Sequence, residues 1–221
     1  MSYYVFSPPG NITHFMISME EKKGDIISHD DLTITAPGVS LVSGKVGNAV
    51  SLSGNGEFVN LGNQRESCMG NVEMCNNGLM ITFYVLLNQV VDGAHLLSSG
   101  TYSIFTRDRR IVARFSTPNK TWEVSSGVTV APSAWHRVEV SWDEDKGLQL
   151  YVDKEKAVST TEFRAHPPPR VTDHFVYVGR PSDDEVSGKY ADALIDQLEF
   201  WFSNRDHVKA FGLLADGEYL I

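Results

Sequence analysis

The sequence predicts an all-β fold, a two-sheet antiparallel jelly-roll sandwich with a short C-terminal helix. Three observations carry this. Apolar and polar residues alternate with a period of two along several segments, as on strands with one buried face. Such segments recur about every ten residues with turn residues between them, the spacing of a sandwich or barrel. Only "SNRDHVKAFGLL" (203–214) has a helical pattern, with Ser203 or Asn204 as its cap and Val208, Phe211 and Leu214 on one face. No internal repeat and no linker divides the chain, so residues 1–221 read as a single domain.

In chain order, "GKVGNAVSLSGNGEFVNLGN" (44–63) reads as a hairpin hinged on glycines. Val50, Leu52, Phe58 and Leu61 are expected to face inward, with Glu57 a solvated turn residue. "LMITFYVLL" (79–87) is nearly all apolar, as in a strand buried on both sides. "HLLSSGTYSIFTRDRRIVARFST" (95–117) reads as strand, turn, strand, with Arg107 to Arg110 at a solvated tip. "TWEVSSGVTVAPS" follows. In "AWHRVEVSWDEDKGLQLYVDKEKAV" (134–158), Val138, Val140, Trp142, Leu148, Leu150 and Val152 form one face of a long hairpin. Glu139, Ser141 and Gln149 lie on the other, where Glu139 is expected to be an ordinary surface residue. Pro167 to Pro169 mark a stiff loop. "DHFVYVGR" and "ADALIDQLEFWFS" are the last strands.

Composition narrows the function. With 42% hydrophobic and 21% charged residues the chain is able to bury a core. Its formal net charge of −9 disfavours nucleic acid and anionic membranes as partners. The longest apolar run, Leu79 to Leu87, falls well short of the roughly 20 residues of a spanning helix. "MSYYVFSPPGN" has neither a basic start nor an apolar core of a signal peptide. The expectation is an excised or mature piece of a longer secreted protein, not a cytosolic one.

Two cysteines in "ESCMGNVEMCNNG", Cys68 and Cys75, suit a small disulfide loop, worth about 2.5 kcal/mol in the chain-entropy model. The alternative is a pair of reduced thiols. Sequons at Asn11 and Asn119 are as many as chance supplies, but Asn119 sits in a turn between strands, where a glycan fits.

The order of segments is more specific than any one of them. "GKVGNAVSL", the "WHRVEVSWDEDKGLQLYVD" hairpin and "IDQLEFW", with the pieces between, resemble the laminin-G-like and pentraxin-like jelly-roll domains of the concanavalin A-like lectin/glucanase superfamily. The resemblance spans residues 12–214. It departs at Tyr84, where the family often has Trp, and at Lys154, where Gly often follows Asp153. The segment holding Cys68 and Cys75 is an insert that looks like variants in extracellular multidomain animal proteins. The resemblance implies a structural role for residues 44–63. It leaves function open, because this fold carries lectins, adhesion modules and glycosidases.

Glycosidases of this superfamily place carboxylates two apart on one strand, but the chain has no Glu-x-Asp-x-Glu. Glu139 and Asp143 would lie about 13 Å apart on a straight strand, too far for either hydrolytic geometry. Asp196 and Glu199, three apart, would face opposite sides. The seven histidines are scattered, and no nucleophile elbow or phosphate loop occurs. The chain is therefore expected not to be an enzyme. Relatives bind calcium through hard oxygen ligands. Candidates here are Asp183 and Asp184 with Glu185, the Asp143 to Asp145 turn, and Asp192 or Asp196, although Asp196 has a second reading as a partner of backbone groups. Trp122 is the candidate sugar platform, with a core position as the competing reading. The expected function is a non-catalytic extracellular recognition or adhesion module binding a protein or glycan, with a calcium-dependent lectin and a ligand-free spacer as alternatives.

Overall fold

The structure, a computed structural model, describes residues 12–29, 32–165, 173–183, 188–210 and 213. In chain order the strands are β1 (His14–Ile17), β2 (Lys22–Lys23), β3 (Ile26–Ile27), β4 (Ile34–Thr35), β5 (Ser40–Ser43), β6 (Asn48–Ser53) and β7 (Val59–Asn63). Then come β8 (Leu79–Leu87), β9 (Ala94–Ser98), β10 (Tyr102–Arg107), β11 (Arg110–Ser116), β12 (Lys120–Ser125), β13 (Trp135–Asp143), β14 (Gly147–Val152) and β15 (Glu155–Thr160). The last are β16 (Arg164–Ala165), β17 (Phe175–Val178), β18 (Lys189–Tyr190) and β19 (Asp192–Trp201), before the helix α1 (Arg205–Ala210). The first sheet runs β15-β14-β13-β8-β19-β6-β5, with β1 also on β19. The second runs β16-β12-β11-β10-β9-β17-β7-β4-β3-β2, with β18 beside β9. The pairing is antiparallel except for β18 with β9. The expected sandwich and its short helix are both present.

Period-two alternation fills the space between the sheets. Val138, Val140, Trp142, Leu148, Leu150 and Val152 from the first sheet meet Ile104, Phe115, Trp122, Val124, Val176 and Leu61 from the second in one continuous core. Two tight hairpin turns explain sequence details. Asp108 and Arg109 both have positive φ (51° and 59°), as do Asp153 and Lys154 (53° and 71°). Turns of this handedness match the twist of the flanking strands. At the second, Lys154 holds a backbone conformation that Gly would adopt without strain. The Cys68–Cys75 disulfide is formed, with Cα atoms 4.8 Å apart, and it closes the loop leading into β8.

Four expectations are corrected. Residues 44–63 are not a hairpin, because β6 pairs with β19 and β5 in the first sheet while β7 pairs with β17 and β4 in the second. Residues 54–58 thus arch from one sheet to the other. Glu57 braces the arch by accepting from Ser53 Oγ at 2.8 Å and from the Asn55 amide at 3.2 Å. Phe58 is not a core residue but half-buried on the second sheet's outer side, edge-on to Tyr177. Asp196 and Glu199 do not face opposite sides. A register shift between them leaves Asp196 opposite Tyr84 and Glu199 opposite Thr82, two positions of one face.

Glu139 is the fourth correction, and the largest. It does lie on the outer face of the first sheet, opposite Thr82, but it is only 6% exposed. The chain returns over this face. A small apolar cluster of Ile12, Met80, Trp201 and Val208 packs there, and the Arg205 Nε of α1 hydrogen-bonds Glu139 Oε1. Arg137 stands 3.9 Å from the other oxygen. Helix α1 is shorter than the 203–214 reading. Val208 is its buried residue, Asn204 Oδ1 accepts from the His207 amide, and Phe211 and Leu214 lie outside the described residues.

Two substitutions separate core from covered face. Leu150→Ala should cost about 2–5 kcal/mol in urea unfolding, as for a buried aliphatic. Glu139→Gln should cost more than the roughly 0.5 kcal/mol of a surface change, because Arg205 and Arg137 would lose a buried counter-charge. A Glu139→Gln protein as stable as the parent would show that α1 does not close this face.

Candidate functional site

The sequence-derived candidates scatter. Trp122, the expected sugar platform, is a correction. It is 1% exposed, packed edge-on to Trp142 in the core, and has no face to offer a ligand. The reason lies in the alternation of β12, where Trp122 and Val124 point inward and Glu123 outward. Asn119 is exposed in the β11–β12 turn, which Thr117 N and Lys120 O close at 2.9 Å. Asn11, Asp184, Glu185 and Pro167 to Pro169 lie outside the described residues. Asp183 is exposed but engaged, accepting from Arg180 Nη2 and from Tyr177 Oη. Asp143 caps its own turn through the Asp145 and Lys146 amides at 3.0 and 3.1 Å. Asp192 accepts from Asn88 Nδ2 at 2.8 Å.

Asp196 has a different setting. It is fully buried at the point where β19 stops pairing with β6 and begins pairing with β1. The Val46 amide donates to its Oδ2 at 2.8 Å, and the amides of Gln197 and Lys45 are turned towards the same carboxylate. Burial nonetheless raises its pKa above 3.8, outweighing those donors, with nearby Glu20 adding to the rise. Glu20 in turn accepts from the Asn48 amide at 3.2 Å. The two glycines of "GKVG" make room for the two carboxylates. A Cβ on Gly44 would stand 2.6 Å from Asp196 Oδ2, and one on Gly47 2.2 Å from Glu20 Oε1. The expectation that this segment is structural is met here by contacts.

The feature that sequence reading missed is a row of side chains across the outer face of the second sheet. Register places Thr35, Asn60, Tyr177, Ser98, Ser103, Arg114 and Glu123 side by side on seven successive strands. Their neighbours along each strand, such as Leu61, Val176, Leu97, Ile104, Phe115 and Trp122, fill the core.

Two aromatic–arginine clusters rise from this row. In the first, the Arg180 guanidinium lies 4.3 Å from the Tyr177 ring centroid and 5.1 Å from that of Phe58. Phe175 stacks on Tyr177 at 6.1 Å. Burial, with Asp173 and Asp183 nearby, pushes the Tyr177 hydroxyl up to about 12, so it stays a donor at neutral pH. In the second, the guanidinia of Arg107 and Arg114 lie over the Phe105 ring at 5.8 and 5.2 Å. Glu123 accepts from Arg107 Nη2 at 2.7 Å and from Arg114 Nε at 2.9 Å. Partial burial works to raise the Glu123 pKa, but the two arginines outweigh it and hold the carboxyl below its ordinary value. Between the clusters are Ser98 and Ser103, both buried, and Ser98 Oγ donates to the Arg180 carbonyl at 2.8 Å. From Tyr177 to Arg114 is three strand spacings, about 14 Å.

Residues 54–206 match a laminin G family model described as Concanavalin A-like lectin/glucanases superfamily. No curated protein matches the chain in sequence. Among solved structures, domain 4 of AbnA, a GH43 extracellular arabinanase from Geobacillus stearothermophilus solved with arabinotriose, aligns with a TM-score of 0.56 at 15% identity, over 88% of this chain and 85% of that one. The binding domain of Paraclostridial Mosquitocidal Protein 1 gives 0.62 at 11%, over 90% and 51%. Trypanosoma rangeli sialidase gives 0.63 at 13%, over 93% of this chain but only 33% of the sialidase. At these identities the likeness is one of fold.

The carboxylate–glycine contacts make a testable cycle. Gly44→Ala should cost about 1–3 kcal/mol through overpacking, and Asp196→Ala about 1–3 kcal/mol through the stranded amides. The double variant should cost less than the sum, since the alanine at 196 vacates the space the new methyl needs. Additive urea-unfolding values would show that the two residues act independently.

Proposed function

The chain belongs to the concanavalin A-like lectin/glucanases superfamily, and from that premise we propose that it is a non-catalytic recognition module of a larger extracellular protein. Its ligand is a glycan held across the outer face of the second sheet. The fold does not carry this alone, because such sandwiches host enzymes and binding modules alike. The observation that carries it is the row from Thr35 to Glu123 with its two clusters. Half-buried Phe58 and Phe175 offer ring surface, and Asn60, Tyr177 and the arginines offer hydrogen-bonding groups fixed by stacking or ion pairs. Few polar groups placed precisely on an apolar support is the composition of a small-ligand site. The arabinanase domain solved with arabinotriose and the mosquitocidal protein's binding domain, both of this fold, agree with the reading.

Glycoside hydrolysis in most families uses two carboxyl groups flanking the bond. The row itself carries Glu123, both of whose oxygens are taken by arginines, and Asp183 beside Tyr177 is engaged by Arg180. On the opposite face Glu139 is held by Arg205, and Glu199 accepts from Trp201 Nε1 at 3.1 Å. This supports binding without turnover. The disulfide supports an oxidising, extracellular setting. In a glycan-array screen the protein should bind a defined subset of glycans. Phe58→Ala and Arg180→Ala should each weaken the best of them at least tenfold while leaving the circular dichroism spectrum unchanged. No glycan bound, or binding indifferent to both variants, overturns the reading and favours a spacer.

A second reading, calcium binding, is favoured by one observation. Asp196 Oδ1 is buried with no hydrogen-bond partner, close to Glu20. Two carboxylates suit a hard cation. No third Asp, Glu, His or Cys joins them among the described residues, so carbonyl and water oxygens would complete the set. An ion bound here would pin residues 44–48 more firmly and stabilise the native state by mass action. Millimolar calcium should raise the melting temperature of the parent and not of Asp196→Asn. An unchanged parent removes the reading.

A further inference from the structure

We propose that the bulged end of β7, facing β17, is a subsite for a neutral glycan, with Asn60 and Asn63 donating to sugar hydroxyls. The inference rests on the glycan-binding reading of this face and names the ligand class. Register makes the subsite. Tyr177 stands opposite Asn60 and Phe175 opposite Asn63, so three steps along β7 match two along β17. On a regular strand, residues 60 and 63 would face opposite sides of the sheet. The extra residue, accommodated at Gly62 with a φ of 85°, brings both asparagines to the outer face while Leu61 stays in the core. A Cβ on Gly62 would meet only Gln64 Nε2, at 3.9 Å, so the floor between the two asparagines is open. Glycine in a strand interior often marks such a close approach.

The groups left open here are uncharged donors. Asn60 Oδ1 accepts from the Gly62 amide at 2.8 Å, and Asn63 Oδ1 from the Arg65 amide at 3.1 Å. Each carboxamide is thereby fixed through its oxygen, and neither Nδ2 has a partner among the described residues. The Arg180 guanidinium is paired with Asp183 and also donates to the Pro181 carbonyl at 2.9 Å. Asp183 is held in turn, its amide donating to Asp173 Oδ2 at 2.8 Å, while Asp173 Oδ1 takes the Phe175 amide at 2.8 Å. The Asp183 side chain is 60% exposed, so its carboxylate can accept from a ligand hydroxyl and would repel an anion. Sugar hydroxyls both donate and accept, which suits carboxamide donors near a carboxylate acceptor. Half-buried Phe58 and Phe175 offer ring surface to the apolar side of the sugar.

The test is a glycan array that pairs neutral with acidic members, galactotriose with trigalacturonate and lactose with 3′-sialyllactose among them, followed by calorimetric titration of the pair that binds best. The neutral member should bind tighter by about tenfold or more. Its affinity should hardly change with salt, because no charge pair is there to be screened. Asn60→Asp and Asn63→Asp keep the oxygen that caps the backbone and lose the donor. Each should leave the melting temperature unchanged and weaken the neutral glycan by about fivefold or more, as for a lost hydrogen bond. A purely structural asparagine would not show that split. An acidic member bound as tightly as its neutral counterpart, or parent-like binding in both aspartate variants, overturns the subsite. If neutral glycans bind and are lost in Phe58→Ala, yet both aspartate variants match the parent, the face reading stands and only this inference falls. If no glycan of either kind binds, both fall together.

Discussion

The buried Asp196 carboxylate is the contact on which the arrangement of the first sheet turns. Strand β19 pairs with β8 along one edge, but on its other edge it must serve two partners, β6 and then β1. A strand that changes partner leaves backbone amides unpaired at the join, and buried amides without acceptors are costly. Here the join coincides with a register shift, and Gln197 takes a positive φ of 50°. A side-chain carboxylate at that point supplies what the missing strand would have supplied. It collects the amide of Val46 and faces those of Lys45 and Gln197, so the loop entering β6 is fixed from the far end of the chain. The short "GKVG" and "ID" stretches, about 150 residues apart in sequence, are therefore two halves of one contact. Glycine is required in the first because a carboxylate occupies the space a side chain would fill.

The same strand order also divides the labour of the two outer faces. In an antiparallel sheet every second residue points away from the core, so both sheets necessarily present polar rows. What differs is what crosses over them. After β19 the chain bends back through Ser203 and Asn204, and α1 lies on the first sheet with Arg205 on Glu139 and its amide on Ser141 Oγ at 2.8 Å. The N-terminal strand adds His14, stacked on Trp201 at 3.8 Å. This face becomes an internal ionic layer. Its charges, Glu139, Glu199, Arg137 and Arg205, hold β1 and α1 on the sheet and are largely withdrawn from solvent. On the second sheet the Arg107 and Arg114 side chains stay 43% and 33% exposed.

How much of this the sequence disclosed follows from the range of each signal. Strand positions, the inward face of the β13–β14 hairpin and the disulfide are local patterns, and all are present. The residues 44–63 misled because a turn between two strands has the same local chemistry whether the strands pair with each other or part to opposite sheets. Pairing partners are long-range facts that glycine spacing does not encode. Trp122 was decidable from its own strand, since Val124 shares its parity and Glu123 does not. Glu139 was not: alternation placed it outside correctly, but its burial depends on a helix some 60 residues later. Asp196 and Glu199 shared a face only because of the shift between them, and such shifts leave no mark in hydrophobic periodicity. The row across the second sheet was invisible for a related reason. Each member is a single polar residue on a different strand, and only register lines them up.

Register also bears on why a recognition surface would sit on this sheet. A row built from one residue per strand is held by backbone hydrogen bonds on both sides, so its members keep their spacing without long side chains or loops. Serines at the centre and arginines with rings at the flanks make a surface that is low in the middle and polar at its ends. The stacked guanidinia contribute charge direction at small entropic cost, because the rings beneath them and the carboxylates beside them already restrict rotation. Each cluster has an anchoring acid, Asp183 for Arg180 and Glu123 for the Arg107–Arg114 pair, and the two differ in make-up. The first is built round a tyrosine hydroxyl with Asp173 also nearby, whereas the second joins two guanidinia through one carboxylate. A ligand spanning both would meet rings and a phenolic hydroxyl at one end and two stacked guanidinia at the other, which is a direction of binding imposed by the protein and not only an affinity.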